Sequence, residues 1–307
     1  MKIGVDLGGS HIGVGLIDGI NIIDSEEKIL TRADRVDIKT SITNEITRMI
    51  NSLCFKNNIF ISDIELIGIA SPGTISNGVI VKAGNLGIRN FDLIGSLKKN
   101  FQNRIYLRND AKCAAMAEKV YGAMKNYDDG VFLSIGTGIG GAVFINGKLL
   151  EPKRYSGFEI GHMIINKGGR LCTCGKRGCF ETYASIKALK TKVTETLDID
   201  SDISGQYLRE VILKEEVFEK KNEAVISDLD VFLEYLSTGI CNLIDIFEPE
   251  VVVLGGSFAY YKENPIYDML LKKINSSKTT FNEGELPKIV TAEFANNSGI
   301  IGATLLE

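Results

Sequence analysis

The sequence predicts an α/β protein of two related halves, each with a central sheet covered by helices. Three observations lead there. A strand, a glycine-rich turn and a second strand closed by a hairpin dipeptide occur twice, about 130 residues apart, a domain-sized interval. Stretches with apolar residues at helical spacing separate the strand-like runs. The chain has 307 residues, 44% hydrophobic and 24% charged, which suits two globular domains rather than a disordered chain.

Taken in order, the first half opens with the strand pattern Ile3-Gly4-Val5-Asp6 and turns at Leu7-Gly8-Gly9-Ser10. Ile12 to Ile17 resumes the strand, Asp18-Gly19 supplies a two-residue hairpin turn, and Ile20 to Ile23 continues apolar. Ile42, Ile46, Met49, Ile50 and Leu53 fall on one helical face. Arg104 to Arg108 reads as a strand and alanine-rich Ala111 to Tyr121 as the helix after it. The second half repeats the opening. Val131 to Ile135 leads into Gly136-Thr137-Gly138-Ile139-Gly140-Gly141, then Ala142 to Ile145, and Asn146-Gly147 turns the chain before Lys148-Leu149-Leu150. Ser204 to Ser227 is highly charged and reads as surface helices. Val231 to Phe247 is a long apolar-periodic helix ending at Glu248-Pro249. Val251 to Leu254 is continuously apolar, as buried strands are, and Gly255-Gly256-Ser257 makes a third glycine turn. Gly299 to Leu306 reads as a short closing helix.

Several function classes are excluded at this level. Lys and Arg number 35 against 39 Asp and Glu, a net charge of −4 with no basic run, so the footprint of a nucleic-acid binder is missing. No apolar stretch approaches a membrane span. Met1-Lys2 leads straight into a strand, so no signal peptide is expected. Cys54, Cys113 and Cys241 lie singly in apolar contexts and read as core residues. Thiols used this way fit a reducing, cytoplasmic setting.

Gly136-x-Gly138-x-x-Gly141 formally matches the dinucleotide fingerprint, but that fingerprint requires a helix after the glycines. Here a strand and a hairpin turn follow, so the dinucleotide reading is rejected. Neither glycine run has the lysine and hydroxyl of a phosphate-binding P-loop. What remains is a pair of tight turns with accessible backbone N–H groups and a hydroxyl each, Ser10 and Thr137. Successive N–H groups of this kind form a concave anion site, and two of them can hold a polyphosphate from both sides. Asp6, at the end of the first strand, suits Mg²⁺ held through water.

The densest motif is Gly161-His162 followed by Cys172-x-Cys174-Gly175-x-x-Gly178-Cys179. It gathers one of two histidines and three of six cysteines. One imidazole and three thiolates make the donor set of a closed, structural Zn²⁺ site. Gly175 and Gly178 let the backbone double back so that the sulfurs face one ion. Glu159 and Glu181 flank the cluster. Asp110 reads two ways on spacing alone. It is the N-cap of the helix that follows Asn109, or it accepts the proton of a substrate hydroxyl in phosphoryl transfer.

With these residues in place, the chain resembles the ROK family of bacterial sugar kinases and related repressors. The likeness covers essentially the whole length. It rests on Asp6-Leu7-Gly8-Gly9-Ser10, Asn109-Asp110, the turn 136–141, Glu159-x-Gly161-His162 and the cysteine run through Glu181. The resemblance implies an actin-like, ribonuclease-H-like fold of two α/β domains with a cleft between them. The expected domains are residues 1–118, joined by a closing helix at 297–307, and residues 119–296. It implies ATP-dependent phosphorylation of an aldohexose at the 6-hydroxyl, as in a glucokinase, with Asp110 as base. Ser71, Pro72, Gly73, Asn85, Asn109, Asp110, Glu159, His162 and Glu181 would contact the sugar. Asp6, Gly8, Gly9, Ser10, His11, Gly136, Thr137, Gly138, Gly255 and Gly256 would bind ATP and Mg²⁺. His162, Cys172, Cys174 and Cys179 would hold a structural Zn²⁺, with His162 using its other ring nitrogen on the sugar. Family members are often dimers, so a homodimer is expected. The rival readings are an N-acetylmannosamine, N-acetylglucosamine or fructose kinase, a non-catalytic sugar-sensing regulator, and an actin-like filament or chaperone ATPase. A DNA-binding repressor would need a helix-turn-helix ahead of Asp6, where the sequence offers five residues.

Overall fold

The computed structural model describes residues 1–152, 158–213, 222–262, 264–277, 286–294 and 297–305. The chain forms two compact units. One comprises Met1–Asn126, Leu149–Gly157 and Asn296–Glu307, the other Tyr127–Lys148 and Phe158–Ala295. Thus the first unit extends past residue 118 to Asn126, and the short segment that begins at Leu149 and ends before Phe158 groups with it.

In the first unit, strands β1 (Lys2–Leu7), β2 (His11–Asp18), β3 (Asn21–Ile29), β4 (Leu66–Ser71) and β8 (Arg104–Asn109) form a sheet of order β3-β2-β1-β4-β8. The first three are antiparallel, and β4 and β8 join in parallel. Strand β4, fully buried, carries the continuous apolar run of a central parallel strand in Leu66 to Ala70. Strand β3 runs on to Ile29, beyond Ile23, with inward and outward residues alternating through its charged end. Helix α1 (Ile38–Lys56) buries the expected stripe Ile42, Ile46, Met49, Ile50 and Leu53 with Ile3, Val5 and Leu7. Its N-cap is Asp37, whose side chain accepts from the Thr40 amide. Three short strands, β5 (Thr74–Ser76), β6 (Val79–Ala83) and β7 (Ile88–Phe91), form a second small antiparallel sheet. Helices α2 (Leu93–Leu97) and α3 (Asp110–Val120) complete the unit's middle.

The opposite face of the large sheet is built for close approach. Helix α9 (Ser298–Ala303) is the described part of the closing helix; residues 306–307 lie outside the described residues. A Cβ on Gly4 would fall 2.0 Å from the Ile300 carbonyl oxygen, and one on Gly68 1.9 Å from that of Ala303. A Cβ on Gly302 would fall 1.7 Å from the Cys113 carbonyl oxygen of α3. Glycine is required at all three because backbone meets backbone there.

In the second unit, β9 (Gly130–Ile135), β10 (Ile139–Ile145), β11 (Lys148–Leu149), β12 (Val251–Gly255) and β13 (Lys288–Thr291) form a sheet of order β11-β10-β9-β12-β13. Strand β10 is antiparallel to β9, while β12 pairs in parallel with both β9 and β13. The same order in both sheets is the ribonuclease-H-like arrangement of an actin-like fold. Helices α4 (Glu181–Ala184), α5 (Ile186–Leu197), α6 (Gly205–Leu213), α7 (Glu223–Phe247) and α8 (Pro265–Ser276) accompany this sheet. The charged stretch 204–227 therefore holds α6 and the start of α7, and residues 214–221 lie outside the described residues. Helix α7 begins at Glu223 rather than Val231, because Asn222 caps it and Val225 and Leu229 continue its buried stripe. Cys54, Cys113 and Cys241 are all buried, as expected of core thiols.

Candidate active site and metal cluster

Within the first unit, the predicted residues collect where parallel strands end. Asp6 pairs in register with Ala70, Ala70 with Arg108, and Ser71 with Asn109. The carboxyl ends of adjacent parallel strands are where open α/β sheets bind ligands. Asp6 is half-buried, and its desolvation raises its carboxyl above the ordinary range; the nearby His11 opposes this and Glu27 adds to it. The physical reason is a row across the sheet, since Asp6 pairs with Gly13 and Gly13 with Glu27. The following turn is lined by side chains. A Cβ on Gly8 would sit 2.5 Å from His11 Cε1, and one on Gly9 2.9 Å from Asn85 Nδ2. So His11 lies over Gly8 and Asn85 against Gly9, which leaves no room for a larger residue in the turn. Ser10 is exposed.

One side chain at this turn was not singled out by the sequence. Arg35 donates to the Gly9 carbonyl at 2.8 Å. No motif links residues 26 positions apart. The contact exists because Thr31 and Asp34 close a local turn that returns the chain toward Gly9.

Asp110 is the first residue of α3, not its cap. The N-cap is Asn109, whose Oδ1 accepts from the amides of Ala111 at 3.1 Å and Lys112 at 3.3 Å. This corrects the reading of Asp110 as the cap: Asn109 has the extended backbone a cap needs, and Asp110 is already helical. Asp110 Oδ1 accepts from the Ala111 amide at 2.8 Å. Asn109 Nδ2 donates to the Gly73 carbonyl at 3.2 Å, which ties Ser71-Pro72-Gly73 to the helix start. Gly73 has φ +87°, and a Cβ there would meet the Lys82 carbonyl at 2.1 Å, so glycine is obligatory. Asn85 lies in a single 3₁₀ turn, Gly84–Leu86, ended by left-handed Gly87.

The second unit collects the rest. Gly136, Thr137 and Gly138 link β9 to β10, with the Gly136 amide donating to the Gly138 carbonyl at 2.9 Å. Thr137 is exposed. The third turn lies beside it. Gly255 pairs with Ser134, Gly256 has φ +62°, and a Cβ on Gly136 would sit 3.8 Å from Ser257 Oγ. The two turns therefore share one end of this sheet.

Next to them stands the cysteine cluster. Cys172 Sγ is 3.5 Å from His162 Nδ1, and Cys174 Sγ is 3.6 Å from Cys179 Sγ. The four donor atoms all lie within 4.8 Å of one another. A tetrahedral zinc with its usual bond lengths separates its donors by about 3.5–3.8 Å, so the set fits such an ion. Gly175 (φ +93°) and Gly178 (φ +85°) make the two bends the sequence called for. Burial, chiefly, pushes the Cys172 thiol up to about 12. A thiol so held stays protonated at neutral pH until a bound cation displaces its proton into solvent. The loop is fixed to the core through Phe180, whose ring would contact a Cβ on Gly239 of α7 at 2.3 Å.

Glu159 is exposed and precedes a 3₁₀ turn, Ile160–His162. Glu181 opens α4. Its Oε1 lies 3.2 Å from Cys172 Sγ and 3.5 Å from His162 Nδ1, and its Oε2 accepts from the Ile139 amide at 3.4 Å. Among the described residues no helix is long and apolar enough to cross a membrane.

A model of the ROK family matches residues 2–307. A glucokinase of Halalkalibacterium halodurans is 31% identical, the match covering 98% of this chain and 92% of the relative. A xylose repressor of Bacillus spizizenii is 30% identical, covering 98% of this chain and 75% of the repressor. Among solved structures, a ROK hexokinase from Thermus thermophilus aligns with 99% of this chain and 96% of its own at a TM-score of 0.80 and 26% identity.

Proposed function

Because the chain belongs to the ROK family and is a sugar kinase, we propose that it transfers the γ-phosphoryl group of ATP to the 6-hydroxyl of an aldohexose, with glucose as the favoured acceptor. The observation that carries this reading is the placement of Asp110. It stands at the first turn of α3, locked by the Asn109 cap, where the strand ends also present Asp6 and Ser71. Asp110 accepts the hydroxyl proton as the sugar oxygen bonds to the γ-phosphorus. The bond from that phosphorus to the β-bridging oxygen breaks, and ADP leaves with the electron pair. A weakly basic carboxylate suffices, because it orients the nucleophile and takes the proton late.

Asn85 and Asn109 bind neighbouring sugar hydroxyls, and Glu159, His162 and Glu181 hold the sugar near its first carbons. The turns at Gly8-Gly9-Ser10 and Gly136-Thr137-Gly138 bind phosphates through their amides, and Gly255-Gly256 takes the adenosine side. Mg²⁺ accompanying the nucleotide neutralises phosphate charge when bound. Asp6 fits its water shell, since a desolvated carboxylate gains from a nearby cation. The Cys₃His cluster is read as a structural zinc site, because four protein donors leave no open position.

ADP release measured across glucose, mannose, fructose, N-acetylglucosamine and N-acetylmannosamine tests the reading. Turnover highest with glucose supports it, and preference for an acetamido sugar or fructose moves the assignment within the kinases. Sugar binding without ADP release from any of them would leave a sugar-sensing regulator, the role that the name of the Bacillus relative suggests.

A further inference from the structure

We propose that the metal cluster controls the nucleotide turn through Ile139, with Glu181 as the positioning residue that connects them. The inference rests on the proposed kinase reading for the identity of the turn, and on geometry within the second unit for the link.

Ile139 is the residue at which the glycine turn becomes strand β10. Its peptide groups are held from two directions by the cluster's own loops. Glu181, two residues after the ligand Cys179, accepts the Ile139 amide through Oε2 at 3.4 Å. The same Oε2 would lie 2.6 Å from a Cβ on Gly138, so the carboxylate rests directly on the turn. Gly161, the residue before the ligand His162, is pressed on the other side. A Cβ there would fall 2.1 Å from the Ile139 carbonyl oxygen, and Ile160 packs in the same core cluster as Ile139. Two of the four ligands thus sit within two residues of groups that grip one peptide position. A metal that fixes Cys179 and His162 fixes Glu181 and Gly161, and through them the conformation of residues 136–139. Groups one step outside a ligand set commonly carry this kind of coupling.

The consequence is specific. Metal loading should tighten nucleotide binding in the absence of any sugar, and Glu181 should be needed for the effect. Three forms are compared: zinc-loaded protein, protein stripped with a chelator, and zinc-loaded Glu181→Ala. Hydrogen–deuterium exchange reports the amides of 136–141, and calorimetry reports Mg·ADP binding without sugar. Stripping zinc and Glu181→Ala are each expected to speed exchange in 136–141 and to weaken Mg·ADP binding, by about tenfold. Glu181→Gln, which keeps an acceptor for the Ile139 amide, should restore most of both. Wild-type exchange in 136–141 for zinc-loaded Glu181→Ala would overturn the proposal, even if the stripped protein unfolds locally. If no form binds Mg·ADP, the kinase reading fails while the exchange data still decide the coupling.

Discussion

Asn109 joins two pieces of the candidate sugar site with one side chain. Its Oδ1 caps α3 and its Nδ2 donates to the Gly73 carbonyl. An aspartate here would keep the cap oxygens and lose the donor. Asn109→Ala should lower stability by about 1 kcal/mol, within the usual 0.5–2 for a lost cap. Asn109→Asp should recover most of that stability, yet still weaken sugar binding because the Gly73 turn is released. Urea denaturation and sugar titration separate the two effects.

Asp110 lies next to that cap. Asp110→Asn preserves size and helix position but removes the proton acceptor. Turnover should fall about 10²–10⁴-fold, with sugar affinity changed little. A steady-state assay beside a binding titration checks this, and near-normal turnover would remove Asp110 from the role of base.

The cluster should respond as a unit. Cys174→Ser removes one of four donors from a loop that also carries Glu181. Zinc content measured by mass spectrometry should drop well below one per chain, and sugar affinity should fall with it by about 10–100-fold. Metal-free protein that binds sugar normally would show that the loop holds its shape unaided.

Gly68 tests the packing of α9. An added methyl would fall 1.9 Å from the Ala303 carbonyl oxygen, and backbone cannot rotate away as a side chain can. Gly68→Ala should destabilise by about 3 kcal/mol, at the upper end for overpacking. Denaturation monitored by circular dichroism measures it. Gly19→Ala meets nothing within 4 Å but has φ +60°. Its cost should be smaller and come from backbone strain alone.

Glu26 supplies a pH dependence. The hydrogen bond from Lys56, then that from Ser52, holds its carboxyl below the usual range. Its folded value lies under the unfolded one, so its contribution is complete above about pH 4.3 and fades as pH falls through the folded value. Glu26→Gln should lower stability at neutral pH and flatten the loss that sets in as pH falls below about 4.3. Parallel urea titrations at several pH values read the slope.

Local chemistry made much of this protein legible. Hairpin dipeptides at Asp18-Gly19 and Asn146-Gly147 marked β-hairpins that the fold contains. The stripe from Ile42 to Leu53 was the buried face of α1. Spacing and glycine bends named four donor atoms that do converge. Short strands were harder. Residues 74–91 form a small sheet without an apolar run long enough to announce it. The cap falls on Asn109, one residue before the Asp110 that was one of two open readings, because Asn and Asp cap equally well and only backbone conformation distinguishes them.

The sequence by itself determined which atoms are available: three thiols and an imidazole in one stretch, three glycine turns, an aspartate at a strand end. Those follow from residue type and short-range spacing, which the chain carries locally. Only the tertiary structure decided that Arg35 reaches Gly9, that Gly4 and Gly68 cradle α9, and that Glu181 touches both Cys172 and the Ile139 amide. Such contacts join residues far apart in the chain, often through backbone groups that every residue shares. They exist once packing has chosen the distances, and no pattern of side chains records them beforehand.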